Sequence, residues 1–142
     1  FFEATRDEYY RQLFSVSSKG TWQDWLIYFL NGIAVQSEDA LSRAERINDL
    51  LNKWKLQVAS AASSVPVDIV EHFAVNPYLT IKKIAEELGI AYSIAERGVR
   101  KLANENIIQQ IGDNKRDKVY CATEILSILE EPAKIHADVE ED

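Results

Sequence analysis

Residues 80–122 read TIKKIAEELGIAYSIAERGVRKLANENIIQQIGDNKRDKVYCA, and the succession of periodicities along this stretch decides the fold. Thr80 stands where a helix needs an N-cap, and Ile81, Ile84, Ala85 and Leu88 recur at offsets of 0, 3, 4 and 7, which places them on one helical face. Gly89 ends that helix. After the short turn Gly89-Ile90-Ala91 a second helix is predicted from about Tyr92 to Asn104, with Ala95, Val99 and Leu102 on its inner side. Asn106 occupies the position of a left-handed helix terminator, for which Asn is the usual second choice after Gly. The period then changes to that of strands. Ile107, Ile108 and Ile111 lead into a polar segment from Gly112 to Lys118, and Val119-Tyr120-Cys121 returns as a second β-rich run, so the pair reads as a hairpin.

Two short helices joined by a tight turn and followed by a hairpin make a winged helix-turn-helix. In that arrangement the second helix presents Ser93, Arg97, Arg100 and Lys101 to solvent, and the hairpin tip carries Lys115, Arg116 and Lys118. These seven are the expected DNA-binding residues: Ser93, Arg97 and Arg100 toward base edges or phosphate, the hairpin lysines and arginine toward phosphate. The alternative is that these cations serve only solubility. Tyr92 and Ile94, apolar at the start of the second helix, fit either a thymine methyl or a protein interface. Gly98 inside the helix costs about 1 kcal/mol relative to Ala, which calls for a close approach, expected to come from the Ile84 helix.

The chain has 142 residues with 46% apolar content, enough for a packed core in one or two domains. The expected fold class is mainly α: a helical segment over residues 1–58, a small-residue linker over 59–65, the winged part over 66–130, and an acidic tail over 131–142 read as disordered. The net charge of −7 argues against a dedicated nucleic-acid binder until its distribution is read. Most of the imbalance lies in the last thirteen residues, with one basic and six acidic side chains, whereas residues 65–129 carry eight and nine. Glu96, Asp113 and Asp117 do lie among the positive charges of the winged part. There is no apolar run long enough for a membrane span, no secretory leader is expected, and the lone Cys121 with His72 and His136 has no zinc spacing. No metal, cofactor or membrane is expected, and a reducing cytoplasm is the expected compartment.

The first sixty residues read as helices. Tyr9, Tyr10, Leu13, Phe14 and Val16 give an apolar face to a helix over roughly Glu3 to Ser17, with Thr5 and Glu8 as a capping box, and Ser18-Lys19-Gly20 ends it. Thr21 with Asp24 opens the next helix, rich in Trp22, Trp25, Tyr28 and Phe29, with a kink or break expected near Gly32 and Ser37. Trp22, Trp25, Tyr28 and Trp54 are assigned to core at this spacing rather than to a ligand cage. Two helices this apolar cannot cover each other's faces, so a docking surface is expected. The opening Phe1-Phe2, without a methionine, reads as part of something longer. In the second domain Val67, Ile69, Val70 and Phe73 form a helix ended by Asn76-Pro77, Tyr78-Leu79 adds a third strand, and Thr123 caps a closing helix.

Phe2-Glu3, Arg6-Asp7-Glu8-Tyr9-Tyr10 and Leu13, then Gly20-Thr21-Trp22-Gln23-Asp24-Trp25-Leu26 and Phe29-Leu30-Asn31-Gly32-Ile33-Ala34, are followed after a linker by the winged part. In this pattern the chain resembles the C-terminal region of bacterial Fic family proteins. The resemblance implies helices that complete a helical Fic core, a winged helix appended to it, and a parent that transfers AMP to protein hydroxyls. The loop H-x-F-x-[DE]-G-N-G-R-x-x-R of such enzymes is absent here, as are the inhibitory motif and any Walker-type loop, so no catalytic residue is carried over and this chain is expected not to be an enzyme. Its expected partners are double-stranded DNA, and a second copy or the upstream Fic core. The competing reading is a winged helix used for protein interaction, dimerisation or target recruitment.

Overall fold

The computed structural model describes residues 1–60, 62–112 and 117–132. It is mainly helical: among the described residues there are six helices and one three-stranded antiparallel sheet. The described residues fall into two compact units, one of Phe1–Ala44 and one of Glu45–Glu131.

In the first unit, α1 (Arg6–Lys19) ends at Gly20, whose φ of 69° lets its N–H close on the Val16 carbonyl at 2.9 Å. The helix begins at Arg6, three residues after the expected Glu3, with Thr5 in the N-cap position. Thr5 does not cap it: the Thr5 hydroxyl donates to the Phe1 carbonyl at 3.0 Å and shares a hydrogen bond with the Tyr28 hydroxyl at 2.7 Å. Glu8 is likewise taken up by Gln12 and Arg11. α2 (Trp22–Val58) runs without interruption through Gly32 and Ser37, contrary to the expected break. The Ser37 hydroxyl donates to the Ile33 carbonyl at 2.8 Å, so it is satisfied within the helix rather than by a competing turn. Gly32 is there for space, since a Cβ would lie 2.5 Å from Phe2 Cζ and 2.7 Å from Phe1 Cδ1. The two N-terminal rings fold down onto this notch, and Phe2 stacks on Phe29 with centroids 5.6 Å apart.

This aromatic cluster continues through Tyr9, Trp25 and Tyr28. Trp25 and Tyr28 are half-buried in it, but Trp22 is 62% exposed and does not belong to a core.

In the second unit the last part of α2 joins α3 (Val65–Val75), β1 (Tyr78–Thr80), α4 (Ile81–Leu88), α5 (Tyr92–Asn104), β2 (Gln109–Ile111), β3 (Val119–Cys121) and α6 (Thr123–Glu130). Trp54 and Val58 of α2 are buried in one cluster with Ile69, Phe73, Ile84, Val99 and Ile125. The compact units therefore divide near Ala44 and not at 59–65, because the end of α2 belongs to the same core as α3, α4 and α5. The sheet order is β1-β3-β2, with Leu79 and Gln110 both opposite Tyr120. Ala122, not Thr123, precedes the first turn of α6, and no side chain caps that helix. The tail beyond Pro132, read as disordered, lies outside the described residues.

Candidate nucleic-acid interface

Each helix of the α4–α5 pair forms where its local chemistry directs it. The Thr80 hydroxyl accepts from the Lys83 backbone N–H at 3.2 Å, and Gly89 turns the chain at φ 63°. α5 starts after Ala91, which is extended and offers no side-chain cap. It ends where Asn106 takes a left-handed φ of 58°, so that the Ile107 N–H returns to the Leu102 carbonyl at 3.0 Å. The inner face of α5 is Ala95, Gly98, Val99 and Leu102, all buried. A Cβ on Gly98 would lie 2.5 Å from Ile69 Cδ1 and 3.2 Å from Val65 Cγ1. The close approach that this glycine permits is therefore to α3, whose Ile69 and Val65 side chains stand over it, and not to the Ile84 helix.

Opposite that face, Ser93, Arg97, Arg100 and Asn104 follow one another at offsets of 4, 7 and 11, and all four are exposed. Arg97 has no ion pair among the described residues. Arg100 reaches back to Glu96 at 3.2 Å, an exposed pair one turn apart. Lys101 takes a different direction from the other cations. Its Nζ donates to the Val58 carbonyl at 2.7 Å, at the last residue of α2, where a helix leaves carbonyls without intrahelical partners. Nothing in the local sequence announces this contact, since the two residues lie 43 positions apart. Gln57 makes a similar crossing to the Glu105 carbonyl at 3.1 Å.

On the other flank of α5 a depression of about 510 Å³ is lined by Tyr92, Glu96, Arg100 and Ala103 together with Ile81, Asp117, Lys118 and Tyr120. Lys118 and Arg100 thus line the same depression, and Tyr92, also in its lining, is 55% exposed. Lys115 and Arg116 lie outside the described residues. Of the seven expected site residues, the fold brings Ser93, Arg97, Arg100 and Lys118 onto neighbouring exposed surface and turns Lys101 toward the end of α2.

The other chemistry-bearing residues have structural surroundings. His72 Nδ1 sits 2.9 Å from the Asp68 carbonyl within its own helix, and its Nε2 is 3.8 Å from Glu87. Cys121 is fully buried on β3, and burial pushes its thiol above the ordinary range, so it stays protonated at neutral pH. Among the described residues no cluster of His, Cys, Asp and Glu is arranged to hold a metal, and no helix is long and apolar enough to cross a membrane. No protein family model and no curated protein matches this chain.

Proposed function

We propose that this chain is a non-catalytic region of a Fic-like protein, a helical remnant of a Fic core followed by a winged helix-turn-helix that binds duplex DNA and regulates. The observation that carries the DNA reading is the exposed row Ser93, Arg97 and Arg100 on α5, set opposite a fully buried face and flanked by Lys118. A second helix so placed can enter a major groove, with the strand pair alongside as the wing. The Fic parentage rests on the N-terminal motifs, and the exposed apolar side chains of α1 and the first half of α2 support it, since helices of a larger core would carry such a face.

Binding of a labelled duplex, followed by fluorescence anisotropy between about 50 and 200 mM salt, tests this reading. Each phosphate neutralised contributes about −0.9 to the slope of log affinity against log salt, so contacts from Arg100 and Lys118 give a slope of about −2. Arg100→Ala is expected to weaken binding and reduce the slope. No binding at the lowest salt removes the proposal.

One set of contacts favours the rival reading, a winged helix that meets protein. Glu96 already neutralises Arg100, Lys101 is engaged with Val58, and Tyr92 stands exposed beside them. Self-association or target capture without a salt-dependent DNA complex is the outcome it predicts. The chain, lacking the Fic loop, is expected to transfer no label from ATP to a protein substrate.

A further inference from the structure

The carboxylate of Glu96 is out of place on a surface that meets only phosphate, and its position suggests a use. It lies on the first half of α5, one residue before Arg97, and its side chain is 43% exposed. The N-terminal part of a groove-entering helix is where side chains reach base edges. A carboxylate there has only acceptors, so it needs a donor from the base. The major groove offers donors at cytosine N4 and adenine N6, and adenine sets its N7 acceptor beside N6, where it repels a carboxylate. Cytosine presents the donor alone. Arg97, exposed and without an ion pair among the described residues, carries the opposite pattern, a fork of donors matched to guanine O6 and N7.

Resting on the proposed duplex binding, we infer that Glu96 and Arg97 make α5 selective for a site containing C·G pairs, Glu96 accepting from cytosine N4 and Arg97 donating to guanine. The Glu96–Arg100 pair is the resting arrangement. An exposed pair one turn apart is weak and exchanges readily. On the duplex Arg100 passes to a phosphate and Glu96 to the cytosine. Lys101, held by the Val58 carbonyl, takes no part.

Selection of duplexes from a random pool by the full chain, followed by anisotropy on the selected sequence and its single-pair variants, tests this. The selected duplexes are expected to share a C·G pair whose replacement by T·A lowers affinity about tenfold. Glu96→Ala keeps binding but loses that discrimination, Glu96→Gln moves the preference toward adenine, and Arg97→Ala loses discrimination at the guanine. Binding with no shared C·G pair, or a Glu96→Ala protein as discriminating as the parent, overturns the inference and leaves duplex binding itself standing. A chain that retains no duplex from the pool overturns both.

Discussion

The two units spend similar side chains in opposite ways. In Glu45–Glu131 the apolar residues of α3, α4 and α5, the end of α2 and the sheet close on one another, and Ile69, Val70, Phe73, Ile84 and Val99 have no exposed surface. In Phe1–Ala44 only Gly32 is buried, while Phe14 is 72% exposed and Leu30 61%. The difference is one of enclosure rather than composition. Two helices can share one contact line and leave their flanks open, whereas three helices, a helix end and a sheet surround a volume. Apolar content therefore predicts that a surface wants cover, and topology decides whether the chain itself supplies it.

The contrast between the units breaks most sharply at Phe73. Its truncation to Ala removes a fully buried ring from the second unit and is expected to cost about 3–5 kcal/mol in urea denaturation followed by circular dichroism. A cost below about 1 kcal/mol contradicts a closed core. Gly98→Val comes next: the added side chain meets Ile69 and Val65, and overpacking of this kind costs about 1–3 kcal/mol. If that variant is as stable as the parent, α3 and α5 are not in close contact at this point.

Lys101→Met keeps the aliphatic stem but removes the donor to the Val58 carbonyl, and a loss of about 1 kcal/mol is expected with little change in duplex affinity. A large loss of DNA binding with unchanged stability would return Lys101 to the interface. The smallest effect belongs to the open unit. Trp22→Ser with Leu30→Ser is expected to change stability by no more than about 0.5 kcal/mol and to lower binding of an apolar dye. A loss of several kcal/mol would show that this face is covered in solution.

Much of the second unit was legible because its signals are local. Thr80, Gly89 and Asn106 mark helix ends through their own backbone chemistry, and the spacing of Ile81, Ile84, Ala85 and Leu88 needs no knowledge of what lies opposite. Local signals also misled where a distant group competed. Thr5 is a good N-cap residue by type, yet its hydroxyl is occupied by Phe1 and Tyr28, the latter 23 positions away. Gly32 and Ser37 look like breakers, but the rings of Phe1 and Phe2 fill the first and the helix ladder absorbs the second.

The candidate site divides in the same way. Periodicity alone puts Ser93, Arg97 and Arg100 on the face of α5 opposite Ala95, Val99 and Leu102, because a helix of 3.6 residues per turn leaves no other arrangement. It cannot say that Lys101 bends to the end of α2, that Gly98 answers to α3, or that Lys118 and Arg100 line one depression. Those depend on which elements the closed core brings together, and contacts across tens of residues leave no trace in a local pattern.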